Sequence, residues 1–358
     1  MEQLPIEIIS IVIDKCNFLS KIRLNGINKY FNKITQIHDL MNISEKFLVK
    51  LNSEILKQTK LKNLKKLTVN ENITQENICK FNLVELNTNQ NKNIINVAFM
   101  NKLKILNAGE DSIINQEGIE GLELVELYIP GNKNITNVAF MKKLKILDIG
   151  GKCGINQKGI KGLDLMELKI YKNKKINNIS FMKNLKKLHM AYNSKIDQKG
   201  IEGLNLTELN VEKCENITDV FFMNNLKILN ASGVLCGINQ KGIEGLDLIE
   251  LKVYDNNKIT NISSMKNLKR LDTSGYCGID QIGIQGLDLV ELVVKFNERI
   301  QDVSFMKNLK RLDASNCGIN QKGIDGLDLI ELFACGNDKI IDVSFMKNLK
   351  LYVQDSFS

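Results

Sequence analysis

Asn115-Gln116-Glu117-Gly118-Ile119-Glu120-Gly121-Leu122-Glu123-Leu124 is the first of six variants of one phrase between Asn115 and Leu329, and each copy runs into Leu-x-Glu-Leu. The glutamate of that second element falls at Glu85, Glu126, Glu167, Glu208, Glu250, Glu291 and Glu331, so the long period is 41 residues with slips of one. A self-similar period of this size marks stacked supersecondary units, each touching only its neighbours, rather than a globule. A second set of starts, Leu-Lys-x-Leu, lies between them at Leu64, Leu103, Leu144, Leu185, Leu226, Leu268 and Leu309. The repeating unit is therefore half as long, about 20 residues.

Written from its first leucine, each unit reads Leu-x-x-Leu, then one residue, a small or branched apolar residue, two more, and Asn or Cys. Leu124, Leu127, Ile129 and Asn132 show it, as do Leu309, Leu312, Ala314 and Cys317. The pair Leu127 and Ile129, two apart, points one face of a short strand inward. The Asn amide or Cys thiol can bond the backbone left unpaired at the turn off the strand. This pattern resembles the leucine-rich repeat. The resemblance implies an α/β solenoid of parallel strands with short convex turns or helices, and starts from Leu64 to Leu329 count 14 units, with a degenerate one at Leu349.

The two half-repeats differ on the far side. Gly118-Ile119-Glu120-Gly121-Leu122 and its equivalents place apolar residues three apart, which predicts a single helical or 3₁₀ turn. Val97-Ala98-Phe99-Met100 and Val138-Ala139-Phe140-Met141 recur at one register, so both Phe and Met are expected to fill the core, while Ile262-Ser263-Ser264-Met265 lacks the aromatic.

Net charge is +8, from 49 basic and 41 acidic residues among 358. Lysine is scattered through every unit rather than gathered on one face among stacking aromatics, which argues against nucleic acid as a partner. No apolar run approaches the roughly 18 residues of a membrane span, and Met1-Glu2-Gln3-Leu4-Pro5-Ile6-Glu7 carries acids where a signal peptide carries basic residues. The expectation is a soluble, cytoplasmic protein with no membrane partner, the nucleus being left open. Eight cysteines with no Cys-x-x-Cys, and only His38 and His189 to add imidazole, predict buried thiols rather than a metal site. No nucleophile, base and orienter set and no phosphate-binding glycine loop is present, so neither catalytic residues nor cofactors are expected.

Residues 1–43 do not repeat. Apolar residues three and four apart predict two or three amphipathic helices, which by spacing alone could simply cap the first repeat. Leu4-Pro5-x-Glu7-Ile8, followed by Ile22-Arg23 and Ile27-Asn28-Lys29-x-Phe31, resembles the F-box. An F-box joined to leucine-rich repeats is similar to the substrate receptors of cullin-RING ubiquitin ligases. The resemblance implies an all-α F-box-like domain that docks a small cullin adaptor through Leu4, Pro5, Ile8, Ile9, Ile27 and Phe31, while the repeats hold a target protein and other subunits carry the chemistry. The alternative is an interaction scaffold, outside any ligase, whose N-terminal helices only cap the solenoid. Between the two parts, residues 44–60 predict a helix that plugs the solenoid's end, with Ser44 as its cap and Phe47, Leu48, Leu51, Ile55 and Leu56 on one face. The solenoid itself is assigned to residues 61–358.

On the strands, residues beside the inward leucines face a concave sheet. The row just before the second leucine reads Glu250, Arg270, Glu291, Arg311, Glu331, a ladder of opposite charges worth about 0 to 1 kcal/mol per pair. One, three and four residues after that leucine the repeats stop agreeing. Tyr128, Lys169, Tyr171, His189, Tyr192, Lys252, Tyr254, Lys295, Phe296 and Phe333 stand where other units carry Asn, Ser, Gly or Asp. Large amphipathic aromatics on a polar face are what interfaces use as anchors. These ten are the candidate contacts for a protein partner.

Overall fold

Each second leucine sits at the centre of a three-residue strand whose two outer residues face solvent, because side chains alternate across a strand. The computed structural model describes residues 37–41, 43–58, 61–192 and 194–354. They fall into two compact units, 1–165 and 166–358. In the first, β1 (Asp39–Leu40), β2 (Lys66–Thr68), β3 (Glu85–Asn87), β4 (Ile105–Asn107), β5 (Glu126–Tyr128) and β6 (Ile146–Asp148) pair in chain order, all parallel. In the second, β7 (Glu167–Lys169), β8 (Lys187–His189), β9 (Glu208–Asn210), β10 (Ile228–Asn230), β11 (Glu250–Lys252), β12 (Arg270–Asp272), β13 (Glu291–Val293), β14 (Arg311–Asp313), β15 (Glu331–Phe333) and β16 (Leu351–Val353) do the same. Leucine faces leucine from β1 to β6 and from β7 to β15, as in Leu188, Leu209, Leu229 and Leu251, and this column is buried; at the last step Leu332 faces the exposed Tyr352. The fold is a leucine-rich-repeat solenoid.

The sheet starts earlier than the repeats predict, since Asp39 and Leu40 already pair with Lys66 and Leu67. The six proposed adaptor contacts lie outside the described residues. Residues 44–60 hold two short helices, Glu45–Leu48 and Ser53–Leu56, instead of the single helix expected. Asn52 breaks the run by capping the second helix, its Oδ1 accepting from the Ile55 N–H at 3.0 Å, whereas Ser44 makes no side-chain cap. Leu51 and Leu56 are buried, but Phe47 is exposed.

The turn off each strand closes in one of two ways. Where the eighth residue past the first leucine is Asn, its amide donates to two carbonyls of the preceding repeat. Asn132 reaches Ala108 O at 2.9 Å and Ile114 O at 3.1 Å, and Asn256 reaches Ala231 O at 2.7 Å and Ile238 O at 3.1 Å. Cys214 takes the same place and donates its thiol to Met190 O at 2.9 Å. In the alternate repeats the place belongs to Ser112, Cys153, Ser194, Cys236, Cys277 and Cys317, all buried. Burial pushes the Cys214 thiol up to about 12 and those of Cys236, Cys277 and Cys317 up to about 11. These are inert packing groups rather than nucleophiles.

On the far side the predicted single turns are present, as 3₁₀ segments at Glu117–Ile119 and Gln157–Ile160 in the first unit and at four further places from Lys199–Ile201 to Lys322–Ile324 in the second. What holds them was not foreseen. At five of the repeated phrases the structure shows the Gln clamping the next repeat's backbone with its side-chain amide. Gln240 Nε2 donates to Asn261 O at 2.8 Å, while its Oε1 accepts from Thr260 N–H at 3.0 Å and Asn261 N–H at 2.9 Å. Gln116, Gln198, Gln281 and Gln321 repeat this clamp. The backbones approach so closely that a Cβ at Gly242 would lie 2.1 Å from Thr218 O. In the other half-repeats Met100 and Val97 are buried as expected, but Phe99 is 45% exposed, and Phe140, Phe181 and Phe305 are exposed too. Val97 and Met100, three apart, share the inner side of the turn, and the residue between them points out.

Candidate protein-interaction surface

Of the ten candidate contacts, Tyr128 belongs to the first unit and the other nine to the second. Tyr128 is half-buried and donates its hydroxyl to Glu126 Oε2 at 2.7 Å. In the second unit, Lys169 pairs with Glu167 at 3.1 Å and Lys252 with Glu250 at 3.2 Å, each within its own strand. Each ammonium group is thus held beside a carboxylate of its own strand. His189 stands 3.4 Å from Glu208. Burial holds its pKa below the usual imidazole range, only partly opposed by Glu208, so the ring is neutral near pH 7.

The charge ladder is formed. Arg270 Nε lies 2.7 Å from Glu250, and Arg311 Nε lies 3.7 Å from Glu291 and 3.4 Å from Glu331. The Arg311 guanidinium also covers the Phe333 ring, 5.6 Å from its centroid. Half-exposed pairs of this kind contribute about 0 to 1 kcal/mol each and chiefly fix side-chain positions.

A cluster centred on Glu212 organises the aromatics. Its carboxylate is buried and accepts from the Tyr254 hydroxyl, with Lys213 Nζ at 3.6 Å. Burial, with this hydrogen bond second, raises the Tyr254 pKa, and the hydrogen bond to Glu212 raises that of Tyr192. Tyr192 is held between two ammonium groups, Lys172 at 5.1 Å and Lys213 at 4.9 Å from the ring centroid. Lys295 covers Phe296 at 5.3 Å. Tyr171 is half-buried beside them on the turn after β7.

The fourth residue after the strand leucine has a positive φ in these turns. Gly131, Gly151, Gly275 and Gly336 meet it at little cost, whereas Tyr192 (φ 64°) and Phe296 (φ 60°) adopt it with a bulky side chain. Each such residue carries a penalty on the order of 1 kcal/mol that glycine would relieve.

No family model and no curated protein matches the chain. Solved structures do resemble it: the yeast complex of Rad7 and Elc1 (17% identity, 96% of this chain and 94% of that chain, TM-score 0.49) and an internalin, InlF, of Listeria monocytogenes (18%, 84% and 92%, 0.48). A leucine-rich-repeat protein of Leptospira interrogans is similar at 19% identity over 89% of this chain and 94% of that one, with a TM-score of 0.43. The assignment of the fold rests on the repeat geometry itself. Among the described residues no group of three His, Cys, Asp or Glu could hold a metal, and no helix is long and apolar enough to cross a membrane.

Proposed function

We propose that the chain is a protein-recognition module without chemistry of its own, in which the strand face of the second unit holds a protein partner. The observation that carries this reading is the placing of Tyr192 and Phe296, exposed aromatics on left-handed backbone that glycine or a polar residue occupies elsewhere. Departures from the easiest residue, braced by Glu212, Lys172, Lys213 and Lys295, are what a preorganised interface anchor needs. Because the aromatics come from several strands, the partner is a protein surface rather than a small ligand in one pocket.

The finer reading is a substrate receptor of an SCF-type ubiquitin ligase. Its support is the motif Leu4-Pro5-x-Glu7-Ile8 with Ile27-Asn28-Lys29-x-Phe31, through which residues 1–43 would dock the cullin adaptor. Residues 44–60 join that domain to the solenoid of residues 61–358. Co-purification of the full chain with the small adaptor subunit tests it: Pro5→Ala with Ile8→Asp should abolish capture and leave the circular dichroism of the repeats unchanged. A chain that captures no adaptor before mutation, or a version starting at Ser44 that still captures it, removes the ligase reading. The interaction scaffold outside any ligase would then stand alone.

A further inference from the structure

In the second unit the loops that leave β8, β10 and β12 are longer than their neighbours. From the strand leucine to the buried residue that closes the turn there are five positions in Leu168 to Asn173, Leu209 to Cys214 and Leu251 to Asn256. There are six in Leu188 to Ser194 and Leu271 to Cys277, and seven in Leu229 to Cys236. The longer loops present Tyr192, Val234, Leu235 and Tyr276, the last three exposed by 58%, 52% and 87%. Loop length does not demand apolar residues here, for the same places in the first unit hold Asp111 and Lys152.

These loops are stacked in register. The Tyr192 N–H donates to Glu212 O at 2.9 Å, Lys213 N–H to Ser232 O at 3.0 Å, Gly233 N–H to Tyr254 O at 2.7 Å, and Gly275 N–H to Lys295 O at 2.8 Å. Consecutive loops are therefore about one strand spacing apart, roughly 4.8 Å, and the apolar ones recur at roughly 10 Å. Lysines occupy loops between and beside them: Lys172 after β7, Lys213 after β9 and Lys295 after β13. Among the described residues no carboxylate pairs with Lys172 or Lys295, whose ammonium groups stand over aromatic rings. Of the acids on this rim, Asp255 is engaged by the Tyr276 N–H at 3.0 Å, and Glu212 is buried against the Tyr254 hydroxyl and Lys213.

We propose that this rim, from Lys172 to Phe296, holds an extended segment of a protein partner that carries a bulky apolar residue at about every third position, roughly 10 Å apart, with acidic residues between them. The inference rests on the reading of the chain as a protein-recognition module and places the recognition element on the loop rim beside the strand face. Apolar side chains on every second loop meet the apolar residues of the segment, and the unpaired ammonium groups meet its carboxylates. From β7 to β13 the rim is about 29 Å long, which about nine extended residues span.

The test is fluorescence anisotropy of the full chain with a fluorescein-labelled peptide of about ten residues that has leucine at every third position and glutamate between, beside a peptide of the same pattern with lysine in place of glutamate. The glutamate peptide should bind and the lysine peptide should not. Tyr276→Ser with Leu235→Ser should weaken binding by about tenfold, as should Lys172→Glu with Lys295→Glu, and added salt should weaken it further. Phe305→Ser, exposed on the far side of the same unit, should leave it unchanged. Binding that survives both rim pairs but is lost in Phe333→Ala, on the strand face, overturns the rim while leaving the strand face as a recognition surface. Equal binding of the lysine peptide, or none of the glutamate peptide, overturns the acidic and apolar occupant.

Discussion

Longer strand-exit loops occur in both units and are filled differently. In the first unit Leu106 to Ser112 and Leu147 to Cys153 have six positions, as Leu271 to Cys277 has in the second. The buried ends are interchangeable, Ser or Cys in each. The exposed extra residues are not: Asp111 and Lys152 in the first unit, Val234, Leu235 and Tyr276 in the second. The left-handed turn position shows the same split, with Gln90, Glu110, Gly131 and Gly151 in the first unit and Tyr192 and Phe296 among those of the second. A repeat protein must satisfy the same packing and hydrogen-bonding demands in every copy. Residues that recur are thus explained by the stack, and exposed residues that depart from the repeat in one unit only are the ones left for recognition.

This comparison can be broken first where the two units should agree. Leu127→Ala in the first unit and Leu209→Ala in the second each empty a fully packed column and should cost about 2 to 5 kcal/mol in denaturant unfolding. A unit that tolerates its substitution does not share the packing rule. The buried thiols come next. With the Cys277 thiol pushed up from 9 to about 11 by burial, its thiolate fraction at pH 8 should be about a hundredfold lower than that of an ordinary thiol. Among the described cysteines, exposed Cys79 should therefore react first with Ellman's reagent, and Cys153 and Cys277 alike only on unfolding.

Smaller effects sharpen it. Gly159→Ala and Gly242→Ala would bring a Cβ to 2.3 Å and 2.1 Å from a carbonyl oxygen of the preceding repeat, and each should cost about 1 to 3 kcal/mol. Gln116→Ala and Gln240→Ala remove the amide clamp, and as these bonds are partly open to water, about 1 to 2 kcal/mol is expected in either unit. The smallest effect is the most informative. Tyr276→Ser should change stability by less than about 0.5 kcal/mol, because its side chain is 87% exposed. A large loss of stability there would make Tyr276 a packing residue and erase the difference between the units.

Much of this was legible in the chain itself. Leu124, Leu127, Ile129 and Asn132 announce strand, core and turn because their roles depend on spacing along the backbone, and a pattern repeated in every unit declares that each copy is buried against the next. Tertiary structure alone decided whatever depends on which atom of the neighbouring repeat is met. Phe99 reads as core by its recurrence, yet the turn geometry directs it outward while Val97 and Met100 go in. Gln116 and Gln240 read as surface polar residues, yet their amides reach backbone 20 and 21 residues further on. Lys172, absent from the expected contacts, stands over the Tyr192 ring of the next repeat. Periodicity specifies the direction of a side chain from its own strand or turn; the partner at its end is supplied by another repeat, and that distance is not written in the local pattern.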